Sequence, residues 1–374
     1  MPKPKRGKPK DLRNVSQSER FDEDRLDERD IREVEPLRDR AGRWRERVNE
    51  DEPLFEYDPE EWAPYPTGTV LRSLSGHHYV LLDGSSEEVD AGVRGLMKHG
   101  IRSTTTVIAP GDRVHVETTG DGTAMIVAVI PRVTALSRPD PTRPHLEDVI
   151  AANVDQVIIV SSVGGPAFWP ELVDRYLVFA EYYGMAPLIV VNKTDLAGPE
   201  ELAEIRALYA EDLGYKVLFT SVESGEGIPG LQAAITGHSN VIVGLSGVGK
   251  SSLLNVIQPD LSLRVQSVNE AYGGEGKHTT RSTTLHPLDQ GGFVADTPGI
   301  RSFGLWDLTP EEVDYYFREF RRFIDECRFN DCTHHHEPGC AILDALESGE
   351  IAETRYKSFL VLFDETDPAH ERPF

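Results

Sequence analysis

A chain of 374 residues with 39 basic and 63 acidic side chains, net charge −24, has length for two or three domains but lacks the global positive field of a nonspecific nucleic-acid binder. No run reaches the roughly 18 to 20 consecutive apolar residues of a membrane span, and the basic, proline-rich N-terminus has no apolar stretch of a secretion signal, so a cytoplasmic protein without a membrane partner is expected. The three cysteines, Cys327, Cys332 and Cys340, fall in one 14-residue window, which suits a metal site in a reducing compartment better than a disulfide framework.

Residues 1–62 begin with Lys3, Lys5, Arg6, Lys8 and Lys10 and continue as a dense mixture of Arg, Asp and Glu. So few apolar side chains predict a tail disordered in isolation, with helix-forming composition from Arg20 to Arg47. Its basic tip suits RNA phosphates and a solubilising tail equally.

From 63 to 135 the pattern is short β-like runs: Thr69 to Leu74, His78 to Leu82, Ser103 to Ile108, Asp112 to Thr118 and Ala124 to Pro131. Asp83-Gly84, Pro110-Gly111-Asp112 and Gly120-Asp121-Gly122 separate them with turn chemistry. Such spacing predicts a small closed barrel of the OB type, although other small barrels and SH3-like modules fit the pattern. Arg94, Lys98, His99, Arg102 and Arg113 are candidate RNA-facing cations; scattered surface charge is the commoner reason for such residues.

A proline-rich connector, Arg138 to Pro144 within a linker at 136–148, leads to a region at 149–307 that alternates strand and helix. Strands are expected at Val154–Val160, Pro187–Val191, Lys216–Thr220, Val241–Val243 and Phe293–Ala295, with helices at Glu171–Tyr183, Pro199–Leu213 and Ile228–Ile235. Alternation with short connections implies a parallel sheet covered on both faces.

Two motifs give this sheet its chemistry. Gly244-Leu-Ser-Gly-Val-Gly-Lys-Ser251 lies between an apolar strand and a helix, so its N–H groups can cradle phosphate oxygens at a helix N-terminus. Gly244, Ser246, Gly247, Val248, Gly249, Lys250, Ser251 and Ser252 are the residues expected to bind the phosphates, Lys250 neutralising the β/γ groups and Ser251 holding Mg²⁺. Asn192-Lys193-Thr194-Asp195 ends another strand. A carboxylate at Asp195 can accept from both N1–H and the 2-amino group of guanine, donors adenine lacks, while Asn192 bonds the base edge or neighbouring loops and the Lys193 stem covers a ring face. Ser221 ends the next strand, where its backbone N–H is placed to meet the guanine oxygen. GTP is therefore favoured over ATP.

Two switch-like segments follow. Tyr272 to Arg281 is glycine-rich and carries Thr279 and Thr280, one hydroxyl of which would reach Mg²⁺ when a γ-phosphate is present. Asp296-Thr-Pro-Gly299 closes a strand, with Asp296 placed to hold the metal through water and the Gly299 N–H placed to sense the γ-phosphate. Because Asn192 to Asp195 precede Gly244 to Ser251, the domain is a circular permutation of the ordinary small-GTPase order, and the Asp296 to Gly299 loop now leads into the C-terminal region.

That region, 308–374, holds Cys327-x4-Cys332-x-His334-x5-Cys340, a closed set of three thiolates and one imidazole of the structural zinc type. His335 and His336 compete with His334 for the fourth position. Helices are expected over Pro310–Phe323 and Ala341–Phe363 around the metal.

Barrel, permuted motif order and zinc knuckle together resemble the bacterial ribosome small-subunit-dependent GTPase A family (RsgA/YjeQ), over about residues 65 to 363. Ala151-Ala-Asn-Val-Asp-Gln-Val157 is similar to the family's entrance to its GTPase domain. The resemblance implies a multidomain α/β protein: an OB-type barrel, a permuted P-loop GTPase domain and a small helical zinc-binding domain. It implies a monomer that binds the 30S subunit and its 16S rRNA late in maturation, hydrolyses GTP there and leaves. It also assigns the switch histidine to His278. Since Ile300, after D-x-P-G, cannot orient water as a glutamine would, His278 is expected to do so, with Lys250 and Thr280 completing catalysis. A GTP-gated, RNA-binding regulator of translation whose hydrolysis is incidental is the competing reading.

Overall fold

A computed structural model describes residues 57–74, 76–94, 106–118, 124–140, 143, 146–259, 283–296 and 308–366. The expected tail through residue 56 and the candidate cations Lys98, His99 and Arg102 lie outside them.

After one helical turn, α1 (Pro59–Trp62), strands β1 (Thr67–Leu74), β2 (His77–Leu82), β3 (Glu88–Val93), β4 (Arg113–Thr118) and β5 (Ala124–Val129) close into a barrel in the order β1-β2-β3-β5-β4. β1 pairs with both β2 and β4, and the β3–β5 pair is parallel. Period-two alternation fills the interior: Val70, Val80, Ala91, Val114, Val116 and Ile126 are all fully buried.

The third strand is a correction. It is Glu88–Val93, and Thr106–Ile108, the described part of the run expected there, is irregular. Glu88 and Asp90 mask β3 because they have low strand propensity. Both face outward, where Glu88 meets Arg72 at 2.6 Å and Asp90 meets His77 at 3.1 Å. Ile108 still reaches the barrel core, but from the approach to a turn in which Asp112 accepts from the Ala109 N–H at 2.7 Å.

Residues 136–148 are not a plain linker either. β6 (Ala135–Pro139) pairs antiparallel with β7 (Glu147–Ala152), forming a ribbon that braces the barrel against the following sheet. The Ala152 N–H donates to Pro110 O at 2.8 Å, and a Cβ on Gly111, whose φ is +93°, would lie 1.9 Å from Ala152 O, so this approach admits only glycine.

The central sheet runs β10 (Lys216–Thr220), β9 (Ala186–Asn192), β8 (Gln156–Ser162), β11 (Ser239–Val243), β13 (Phe293–Asp296), β12 (Thr284–Pro287). It is parallel except for the antiparallel edge strand β12, which the sequence reading missed. Alternate residues serve two cores. Val157, Ile159, Ile189, Val191, Val241 and Val243 pack on one face with α2 (Pro170–Tyr182), while Ile158, Val160, Leu188 and Val190 pack on the other with α4 (Ile228–Ile235) and α5 (Lys250–Ile257). The helix expected over Pro199–Leu213 is α3 (Pro199–Ile205) running into a wider π-helical stretch, Arg206–Asp212.

C-terminal helices are shorter than expected. Pro310–Phe323 is one α-turn, α6 (Pro310–Val313), followed by 3-10 turns; Ala341–Phe363 is two helices, α7 (Ala341–Ser348) and α8 (Glu353–Thr366). Gly349, at φ +80°, caps α7 in the left-handed conformation and ends it. Phe317, Phe320, Phe359 and Cys340 of this module share one apolar core with Val173 and Leu177 of α2. Among the described residues no helix is long and apolar enough to cross a membrane.

Candidate functional site

β8 and β11 are neighbours whose chains depart to opposite sides of the sheet, β8 toward β9 and β11 toward β13. Such a switch point leaves a crevice beyond the carboxyl ends of the strands. Both sequence motifs arrive there. Gly244 follows β11 so closely packed that a Cβ would lie 2.1 Å from Val160 O of β8. Gly247 and Gly249 have φ of +87° and +99°, and Gly249 caps the N-terminus of α5. Lys250 donates from Nζ to the Gly244 and Leu245 carbonyls at 2.9 and 2.6 Å, so its ammonium lies over the start of the loop. Ser246, Gly247, Ser251 and Ser252 are exposed, while Val248 is buried beneath the loop.

Asn192 ties the two motifs together. Its Nδ2 donates to Val248 O at 2.9 Å, and its Oδ1 accepts from the Thr220 hydroxyl at 3.1 Å. It is buried, so both ends of the amide need partners and have them. Asp195 is exposed and accepts from the Ser221 hydroxyl at 2.5 Å. The Ser221 backbone N–H, expected at the guanine oxygen, instead donates to Glu226 O at 3.0 Å. The Ser221 side chain thus fixes the Asp195 carboxylate. Lys193 adopts φ +62° and donates from Nζ to the Gly165 carbonyl, a contact with the β8–α2 loop that no local motif signals.

A Cβ on Gly249 would lie 2.3 Å from Asn192 Nδ2, at a φ unsuited to L side chains. Gly249→Ala is therefore expected to weaken nucleotide binding by about five- to 150-fold, since strain of this kind costs about 1–3 kcal/mol. Calorimetric titration with GDP checks this; an unchanged affinity would refute it.

Of the switch residues, His278, Thr279, Thr280 and Gly299 lie outside the described residues. Asp296 ends β13, paired in register with Thr284.

The C-terminal quartet converges. Donor atoms of Cys327, Cys332, His334 and Cys340 all lie within 4.8 Å of one another. His334 Nδ1 is 3.3 Å from Cys340 Sγ and 3.7 Å from Cys327 Sγ. A tetrahedron with metal–ligand bonds of about 2.0–2.3 Å has edges of about 3.3–3.8 Å, so this set fits a Zn²⁺-sized ion. Its electrostatics point the same way: burial, reinforced by neighbouring sulfurs, pushes the Cys327 and Cys332 thiols up, so the cluster ionises fully only around a cation.

His334 is singled out by its surroundings. Its Nε2 meets Asp314 Oδ2 at 3.2 Å, leaving Nδ1 to face the sulfurs. Burial opposes its protonation, yet the bonds to Asp314 and Cys340 hold the imidazolium up to about 9. His335 turns away, its Nδ1 on Thr333 O at 2.7 Å and its ring against Phe363, and His336 is exposed. The turn that aims His334, at φ +61°, is organised by Glu337, which accepts from the N–H groups of Thr333, His335 and His336 at 2.9, 3.0 and 3.1 Å. Burial works against the Glu337 charge, but these bonds and one from the Thr333 hydroxyl hold its carboxyl down to about 2. Sequence reasoning missed both Asp314 and Glu337.

Comparisons with known proteins agree with this architecture. A profile of the RsgA GTPase family matches residues 129–306. The small ribosomal subunit biogenesis GTPase RsgA of Gemmatimonas aurantiaca is 40% identical over 303 residues, covering 80% of this chain and 97% of that protein. Its namesake in Halalkalibacterium halodurans is 39% identical over 311 residues, covering 83% and 100%. Among solved structures, YjeQ from Thermotoga maritima superposes with a TM-score of 0.65 at 34% identity, covering 80% of this chain and 98% of that one. YloQ, described as a circularly permuted GTPase, gives 0.64 at 30% identity, covering 83% and 97%. At about 40% identity along nearly the full length of these relatives, the chain belongs to the RsgA family of GTPases.

Proposed function

We propose that this protein is a GTP hydrolase that matures the small (30S) ribosomal subunit in the cytoplasm, acting late, as a monomer. The observation that carries the reading is the Asn192 amide, which joins the guanine-reading loop to the phosphate loop across the switch point of the sheet. The names of its relatives supply the ribosomal context. The barrel within 63–135 and the zinc-binding module within 308–374 bind 16S rRNA, and the GTPase domain within 149–307 holds GTP or GDP with Mg²⁺.

In this reading Asp195 accepts from the guanine edge, and Lys250 moves from the Gly244 and Leu245 carbonyls to the β/γ-phosphates. Ser251, Thr280 and Asp296 hold Mg²⁺, which supplies charge neutralisation at the phosphates when bound. Thr279 and Thr280 with Gly299 respond to the γ-phosphate, and His278 orients the attacking water. Cys327, Cys332, His334 and Cys340 hold one structural Zn²⁺. Hydrolysis on the subunit releases the protein.

GTP turnover measured alone and with purified 30S particles tests the proposal. Strong stimulation, abolished by His278→Ala without loss of GTP affinity, is expected. Turnover indifferent to 30S particles would instead favour the GTP-gated regulator, and unchanged stimulation in His278→Ala would remove that histidine from the mechanism.

A further inference from the structure

The loop leaving β8, Val163 to Trp169, touches both halves of the nucleotide site. Its Gly165 carbonyl accepts from Lys193 Nζ, and its Val163 N–H donates to Asn192 O at 3.2 Å. Gly164 sits so near the base-reading loop that a Cβ would lie 2.9 Å from Leu196 Cβ, while Pro166 Cδ lies 3.7 Å from where a Gly247 Cβ would be. The loop then enters α2, whose first turns carry Leu172, Val173 and Tyr176. With Trp169 these line a small cavity whose other wall is Gly244, Leu245 and Val248. One end of α2 is thus part of the floor of the phosphate loop.

The same helix is bolted to the C-terminal module. Asp174, the residue after Val173, is fully buried; it forms an ion pair with Arg355 Nη1 of α8 at 2.6 Å and accepts hydrogen bonds from the Ser358 hydroxyl at 2.5 Å and the Tyr209 hydroxyl at 2.9 Å. Arg355, also fully buried, donates from Nε and Nη2 to Glu319 at 2.7 and 3.2 Å and lies over the Phe317 ring at 4.6 Å. Toward the other end of α2, Glu181 accepts from Arg318 and Arg321 at 2.5 and 3.1 Å.

A buried ionic cluster adds little net stability over apolar packing of similar volume, but it tolerates few geometries. Here the shared apolar core supplies the cohesion, and the Asp174–Arg355–Glu319 cluster fixes one placement of α8 on α2. Displacement of the α2 N-terminus then cannot be absorbed by sliding at the joint.

We propose that the Val163–Trp169 loop and α2 form a strut that transmits nucleotide occupancy to the C-terminal module, with the Asp174–Arg355–Glu319 cluster as its far joint. This rests on the nucleotide-site reading above and names its regulation. The route is separate from the covalent one through Asp296 to Gly299.

Hydrogen exchange of the full chain, with and without saturating GDP, tests it beside a calorimetric GDP titration. In the wild type, GDP slows exchange across residues 353–366 by about fivefold or more, the lower range of allosteric coupling. In the neutral triple variant Asp174→Asn, Glu319→Gln, Arg355→Met, GDP affinity is unchanged and that slowing is lost. Ser358→Ala, which removes one hydroxyl and leaves the charges paired, diminishes the slowing and decides the matter if the triple variant misfolds. Indifference of 353–366 to GDP in a wild type that binds GDP overturns the strut alone, as does undiminished slowing in Ser358→Ala and, where it folds, the triple variant. Failure of the wild type to bind GDP, read separately by the titration, overturns both the strut and the nucleotide site.

Discussion

Asp195→Asn will lower affinity for GDP by a factor on the order of 10⁴ while raising affinity for xanthosine diphosphate. A carboxylate offers only acceptors, about four lone-pair directions in all, and one is taken by the Ser221 hydroxyl at 2.5 Å. Enough remain for the two donors of the guanine edge. An asparagine turns an amide NH₂ toward one of those donors, so a matched pair becomes a clash of like polarity, and sites built on such pairs discriminate by about 10⁴–10⁵. Xanthine carries a carbonyl where guanine carries its amine and accepts what the new amide donates. Because Asp195 is exposed, thermal stability without nucleotide should hardly change, which separates lost recognition from lost fold. Parallel titrations with the two diphosphates check the swap; an unaltered preference for GDP would show that Asp195 does not read the base.

Cys340→Ser will strip the metal and unfold the C-terminal module. Cys340 is 1% exposed and sits both in the donor quartet and in the apolar core. Around it the chain is built from one-turn and 3-10 segments that have few internal hydrogen bonds to hold them without the ion. Structural zinc contributes about 10–16 kcal/mol of apparent binding energy in small modules, as much as the total stability of a typical domain. The expected result is zinc content falling from one ion per chain to near zero, with rapid proteolysis between residues 308 and 366. Full zinc occupancy in the variant would exclude Cys340 as a ligand.

How much of this was legible in the sequence depends on how local each cause is. The placement of Gly244–Ser251 and of Asn192–Asp195 at the ends of two strands of one sheet could be read directly, because each motif occupies a few consecutive residues beside an apolar strand. The permutation was legible for the same reason, as an order of motifs. β3 was not, since Glu88 and Asp90 lower its strand propensity and only their partners Arg72 and His77 across the ladder explain them. Three consecutive histidines cannot be ranked by spacing; what selects His334 is a left-handed turn held by Glu337 and a carboxylate 20 positions upstream. The joint beneath α2 was invisible, because Asp174 and Ser358 are 184 positions apart and neither belongs to a pattern.

The position of β8 has a bearing on how the protein is made. Permutation puts the first-synthesised strand of the sheet at its centre, with β9 and β10 added on one side and β11, β13 and β12 afterwards on the other. Chains emerge from the ribosome N-terminus first, and domains generally fold as units. The Asn192–Asp195 half is therefore synthesised before the Gly244–Ser251 loop, and until β11 is made β8, all seven residues of which end buried, lacks its partner on that side. A nucleotide held as proposed between the two loops could not assist folding at that stage, because half of its site would still be unwritten; the arrival of β11 covers that edge of β8 and brings the second loop in one event.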